Sequence, residues 1–224
     1  MTGRISEIFS SIQGEGVYFG VEQVFVRFFD CNLQCVFCDT QLDKFSEYSP
    51  AKLLSEIKSY GKNFHSVSFT GGEPLLQKDF LKESLKLVKQ EGYRTYLETN
   101  GTLPEQLNEV IGQTDIIAMD IKLPSSTNDD EGFWQEHYDF LKSARSKDVF
   151  IKAVICLSTT KEDIIRMSEL LKSLNYDGVL VLQPNSFEQG WFLERKIEAF
   201  NNICRGYNLR TITLPQMHKM SGVK

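Results

Sequence analysis

Cys31, Cys35 and Cys38 fall within one eleven-residue stretch, DCNLQCVFCDT. Three thiols at C-x3-C-x2-C spacing in a short loop can converge on a single inorganic centre. A structural zinc site wants four closed ligands, usually as two separated pairs, and no second pair exists in this sequence. Three thiolates suit a [4Fe-4S] cluster instead, with one iron left open to an exogenous ligand. The competing reading is a zinc or redox loop completed by a distant Cys or His. The other two cysteines, Cys156 and Cys204, stand alone and are expected as buried small hydrophobes. Five cysteines is an odd number, and MTGRISEIFSSIQGEG at the N-terminus has no apolar stretch of signal-peptide length. A reducing, cytoplasmic setting is the expectation.

The elements that must position these thiols are legible in the periodicity. Short β-branched or aromatic runs (EQVFVRFF, HSVSFT, YRTYLET, DIIAMDIK, DVFIKAVIC, VLVLQP, LRTITL) alternate with helical stretches at 50–60, 76–91, 104–112, 133–145, 161–174 and 191–205. Ser49-Pro50 is a helix start, TKED from Thr160 is a capping box, and Gly61 and Gly92 stand where helices should stop. Alternation implies mostly parallel strands with right-handed crossovers. Seven strand candidates without an eighth unit point to an α/β fold built as an open, partial (β/α) barrel. The stretch 123–132, LPSSTNDDEG, reads as a solvated acidic loop.

At 224 residues, 41% hydrophobic and 25% charged, the chain can bury a sizeable core, and a single domain over 1–224 is expected. The net charge of -5, with Lys and Arg scattered, argues against nucleic acid as a partner, and no apolar run is long enough for a membrane span.

Parallel α/β architectures build ligand sites at the carboxyl ends of their strands. There the sequence places the three cysteines, then TGGEP (70–74), ETNG (98–101), DIK (120–122), QPN (183–185) and LPQMH (214–218). Polar and glycine-rich residues recur on one rim, which is a site signature in itself.

The cysteine spacing, with Phe37 just before the last thiol and GGE after the second expected strand, resembles the radical S-adenosylmethionine (SAM) family. The resemblance implies a radical SAM barrel in which Cys31, Cys35 and Cys38 hold the cluster and SAM chelates the open iron. SAM is then cleaved to a 5′-deoxyadenosyl radical that takes hydrogen from the substrate. Gly71, Gly72 and Glu73 would grip the methionyl end. Glu98 and Asn100, Asp120 and Lys122, and Gln183, Pro184 and Asn185 would meet its carboxylate, ribose and adenine. Many relatives carry Ser-Pro-Lys where this chain has DIK, so Lys122 is the matched position and Asp120 the departure.

IQGEG (12–16) leading into VFVRFFDCNLQC, with CDT, TGGEP, ETNG, QPN and QMHK, resembles the 7-carboxy-7-deazaguanine synthases along essentially the whole chain. That resemblance implies ring contraction of 6-carboxy-5,6,7,8-tetrahydropterin with loss of ammonia, in queuosine and deazapurine biosynthesis. It implies Mg2+ at Thr40, a flavodoxin-like electron donor, a homodimer, and substrate contacts from Ile12, Gln13, Gly14, Glu15, Arg27, Thr70, His218 and the carboxylate of Lys224. Read as residues, Arg27 inside VFVRFF needs a partner, either a substrate carboxylate or an internal Glu or Asp. Gln13 and Glu15 offer acceptors to the donor-rich edge of a pterin. His65 and His137 are given no role. The alternatives are another radical SAM enzyme, such as a glycyl-radical activase, and a non-enzymatic metal-binding module.

Overall fold

The computed structural model describes residues 1–40, 42–127, 131–188 and 190–216. The chain runs β1 (Gly3–Ile12), β2 (Glu22–Phe28), β3 (Ser46–Tyr48), α1 (Pro50–Ser59), β4 (Ser66–Gly71), α2 (Lys78–Gln90), β5 (Thr95–Thr99), α3 (Pro104–Val110) and β6 (Ile116–Asp120). It continues through α4 (Pro124–Thr127), α5 (Trp134–Ala144), β7 (Asp148–Ile155), α6 (Lys161–Ser173), β8 (Val179–Pro184), α7 (Trp191–Gly206) and β9 (Arg210–Thr213). Among the described residues the nine strands form one sheet, ordered β3-β1-β2-β4-β5-β6-β7-β8-β9. Pairing is parallel from β2 through β9, while β1 is antiparallel to both β2 and β3. The edge strands β3 and β9 do not pair with each other, so the barrel stays open.

The seven expected strands are all present, and β1 and β3 are additions. Parallel strands covered on both faces read as continuous apolar runs. By contrast, GRISEIFSSI is only half-buried, with its register shifted between Ile5 and Glu7, and SEY is a three-residue, mostly exposed edge. Neither carries the signal that betrays an interior strand. The expected acidic loop is partly corrected as well: Pro124–Thr127 form a helical turn with Ser126 and Thr127 buried. Local capping chemistry behaves as read. Ser49 accepts from the Lys52 N–H, Thr160 and Asp163 cap each other, and Gly61 and Gly92 take φ of 83° and 85° beyond their helices.

Alternation along the strands gives the sheet two chemically different faces. Val24, Val26 and Phe28, Val67 and Phe69, Leu97, Ile117 and Met119, Ile151 and Ile155, and Leu180 and Leu182 join the main core. They pack with helix residues such as Leu53, Leu85, Leu107, Phe140, Met167 and Phe200. The intervening residues face the other way. Tyr96, Ile116, Ala118, Phe150 and Val181 make a small second cluster there, and Arg27, Thr70, Glu98, Asp120 and Lys152 occupy alternate positions of neighbouring strands.

The loop between β1 and β2 folds across this second face. Glu15 pairs with Lys152 of β7, Tyr18 donates to Asp148, and Gln216, just past β9, donates to Glu15. Contacts between the two ends of the sheet require it to curl, which is the partial barrel expected.

Candidate active site

The inner face and the strand-end rim line a cavity of about 590 Å3, within the size range of small-molecule sites. Its walls include Cys31, Cys35, Cys38 and Thr40 at one side, Gly71 and Gly72, and then Asn100, Asp120, Lys122, Gln183 and Asn185. Ile12, Gln13, Gly14, Glu15, Arg27, Thr70 and Glu98 complete it. Rim motifs far apart in sequence therefore share one space. His218 and Lys224 lie outside the described residues.

The cysteine loop is held by a tight crossing. Asp30 takes a φ of 72° at the end of β2, and its carbonyl accepts from the Glu73 N–H at 2.9 Å. Gly72 passes so close that a Cβ there would stand 1.9 Å from the Asp30 oxygen. Asn32 binds the amide of Asn100 at 2.9 Å and the Thr102 hydroxyl at 2.9 Å, which fastens the loop to the end of β5.

Burial pushes the Cys31 and Cys35 thiols up, and the ammonium of Lys122 opposes this at both. Lys122 lies 5.0 Å from the centroid of the Phe37 ring. Among the described residues no group of three His, Cys, Asp or Glu side chains is drawn together as a single-ion cage. Three thiols of one loop that line a common cavity suit a [4Fe-4S] group with one iron left to an exogenous ligand. Cys156 and Cys204 are buried, as expected. Cys156 accepts from the Asn185 amide at 3.5 Å, and burial pushes its thiol up to about 11.

Two expected SAM-binding residues, Glu73 and Pro184, do not line the cavity. Glu73 is fully buried and does not line the cavity; its carboxylate accepts from the Leu75 and Asn100 N–H groups and from the Thr99 hydroxyl. Burial pushes it up to about 7 despite those donors. It ties the end of β4 to the end of β5. Pro184 ends β8 without lining the cavity. Asp120 does line it. Its Oδ2 is held by Lys122 at 2.9 Å and by Lys152 at 3.5 Å, while Oδ1 is buried without a partner among the described residues. Gln183 likewise keeps an unpartnered Oε1.

Glu98, expected at SAM, lines the cavity and also joins a hydrogen-bonded group with the β1–β2 loop. Its carboxylate accepts from the Gln13 amide at 2.8 Å, the Thr70 hydroxyl at 2.8 Å and the Ser68 hydroxyl at 3.2 Å. Gln13 in turn donates to Gln23 at 3.0 Å and accepts from the Glu15 N–H at 3.1 Å. Glu98, Gln13, Glu15 and Thr70 thus form one hydrogen-bonded, acceptor-rich floor.

Arg27 has an internal partner, the alternative left open by its position in an apolar strand. Its Nε donates to Glu7 at 2.7 Å, and its guanidinium lies 5.6 Å from the centroid of Phe9. Glu7 was missed because β1 was missed. Lys152 was missed although it carries the same signal as Arg27, a cation at the centre of an apolar strand. His137, with no expected role, is fully buried under the site. Its Nε2 stands 3.1 Å from the Asn100 carbonyl, and burial holds the ring's pKa down to about 4.

Comparison with known proteins agrees with this geometry. Residues 26–183 match the Radical SAM superfamily model. A 7-carboxy-7-deazaguanine synthase of Geobacter sulfurreducens is 34% identical, over 98% of this chain and 97% of its own. One from Archaeoglobus fulgidus is 33% identical over the full length of both. In fold, the chain resembles the crystal structure of QueE from Escherichia coli, with a TM-score of 0.65 and 24% identity over 95% of this chain and 94% of that one. A domain of a pyruvate-formate lyase-activating enzyme from Bacteroides vulgatus has a TM-score of 0.56, with 22% identity over 66% of this chain and 98% of that one. With near-complete coverage at this identity and the superfamily match over most of the chain, the protein belongs to the 7-carboxy-7-deazaguanine synthase family of radical SAM enzymes.

Proposed function

We propose that this enzyme contracts the ring of 6-carboxy-5,6,7,8-tetrahydropterin to 7-carboxy-7-deazaguanine with loss of ammonia, on a deazapurine route such as that to queuosine. The observation that carries the reading is the acceptor-rich floor of Gln13, Glu15 and Glu98 in the same cavity as the three thiols. A pterin presents N–H donors along its pyrimidine edge, and a floor of carboxylate and amide oxygens is complementary to them.

When bound, the cluster and SAM would supply the radical chemistry of this superfamily. Cys31, Cys35 and Cys38 would hold the cluster, and the GGE turn leaves its backbone open for the methionyl end of SAM. Asp120, through its unpartnered oxygen, and Gln183, through its own, accept from hydroxyl and amino groups of the nucleoside. Glu15 and Glu98 orient the pterin, and Arg27 faces its carboxylate from the Phe9 and Phe25 side of the cavity.

Thr40 would hold Mg2+. Mg2+ keeps waters and borrows substrate oxygens, so one hydroxyl on the cavity wall can serve. The enzyme is a single domain in this proposal, supported by the single sheet of the described residues, and a cytoplasmic homodimer reduced by a flavodoxin-like donor. No helix among the described residues is long and apolar enough to cross a membrane.

The test is anaerobic turnover of the reconstituted enzyme with SAM, dithionite and the pterin. Product in large excess over 5′-deoxyadenosine is expected, because in this family SAM is regenerated in each cycle. One 5′-deoxyadenosine per event, with no conversion of the pterin, would overturn the reading in favour of a glycyl-radical activase.

A further inference from the structure

Lys152 lies at the centre of β7, between Phe150 and Val154 on the inner face. Its side chain is only 17% exposed, where an unpaired ammonium is costly. Two carboxylates from elements remote in sequence offset that cost. Glu15, from the loop after β1, makes a close ion pair with it, and Asp120 Oδ2, at the end of β6, stands 3.5 Å away. All three residues line the cavity. This charged cluster thus joins the β1–β2 loop to the end of β6 across the wall of the cavity.

We propose that Lys152 is a positioning residue of the proposed reaction: its ammonium joins Glu15 to Asp120 and so holds the pterin-binding and nucleoside-binding halves of the cavity in register. The inference rests on the proposed function. Glu15 is continuous with the floor made by Gln13 and Glu98. Asp120 is continuous with Lys122 and keeps its Oδ1 without a partner among the described residues. Lys122 and Lys152 both converge on Oδ2, which fixes the carboxylate and leaves the other oxygen for a ligand. Lys152 also separates Glu15, Glu98 and Asp120, three carboxylates that would otherwise repel within one cavity. Hydrogen abstraction depends on sub-ångström placement of the two reactants, so a group bracing both binding halves acts on the reaction without touching the reacting atoms.

The test uses full-length, cluster-reconstituted enzyme with Lys152→Met, which keeps length and removes charge, and Lys152→Arg, which restores it. Iron content and the electron paramagnetic resonance signal of the reduced cluster, with and without SAM, report on the cluster independently of turnover. In Lys152→Met we expect the cluster signal to persist and the KM for the pterin to rise at least about 30-fold, in keeping with loss of one partner from a buried charge pair. We also expect more 5′-deoxyadenosine released per product, because misplaced substrate uncouples the cleavage. Lys152→Arg should return KM to within about tenfold of wild type, the guanidinium differing in shape from an ammonium.

Wild-type KM and wild-type coupling in Lys152→Met would overturn the inference, as would an arginine variant no better than the methionine one. Loss of iron in both variants would assign Lys152 to the fold and also overturn it. Failure of the wild type to convert the pterin is a separate result, which sinks the proposed function itself.

Discussion

Arg27→Met separates a substrate contact from an internal ion pair. The guanidinium donates to Glu7 through Nε at 2.7 Å, and the two side chains are 23% and 32% exposed. A pair this accessible to solvent contributes about 0–1 kcal/mol to stability. Its loss should therefore lower Tm by no more than about 2–4 °C for a chain of this size. Among the described residues the terminal nitrogens have no protein partner, and the residue lines the cavity. If they receive the pterin carboxylate, truncation removes a charge-assisted contact worth about 2–5 kcal/mol. Partial exposure and the competing Glu7 charge argue for the low end. About 2 kcal/mol corresponds to a rise in KM of roughly 30-fold.

The assay is KM for the pterin substrate against binding of an analogue lacking the carboxylate, in wild type, Arg27→Met and Glu7→Gln. Arg27→Met should weaken the substrate and leave the analogue nearly unchanged. Glu7→Gln frees the guanidinium and should bind substrate at least as well as wild type. Equal losses for substrate and analogue, or no loss for either, would refute the carboxylate contact and leave Arg27 as a partner of Glu7 alone.

Anaerobic reconstitution should load about four irons per chain; Cys35→Ser should abolish this while Cys156→Ser retains it, and dependence on Cys156 would contradict the three-thiol assignment. Gly72→Ala forces a Cβ into the Asp30 carbonyl, 1.9 Å away, so it should lower both Tm and iron content; an alanine variant that loads normally would show that the crossing can relax. His137, with its pKa held down to about 4 against an ordinary 6.5, contributes stability that is complete above pH 6.5 and is lost as pH falls towards 4. That amounts to about 3 kcal/mol. Glu73, pushed up to about 7, acts in the opposite sense over much of this window, so the readout is the difference in urea midpoint between wild type and His137→Gln. A difference that does not change with pH would refute the assignment.

Much of this protein was legible before any tertiary contact was known. The seven parallel strands announce themselves because burial on both faces demands continuous apolar runs, and the helix ends do so because Ser49, Thr160, Gly61 and Gly92 act on backbone groups within a turn. The cysteine spacing and the polar strand ends located the rim, since parallel topology sends every strand's carboxyl end to the same side. These are local signals, or signals of spacing, and one chain carries them.

Partnership is a different kind of information. Gln13 meets Glu98 across 85 residues, Glu15 meets Lys152 across 137, and Arg27 meets Glu7 across a strand whose weak, half-buried pattern hid it. Glu73 turned away from the cavity and Glu98 joined the floor because side-chain direction follows strand register and the path of the β1–β2 loop, neither of which periodicity encodes. The sequence by itself determined which residues could do chemistry and on which rim they would gather. Only the tertiary structure decided which of them face the cavity, and which charge answers which, because both depend on how distant strands align and how the sheet curls.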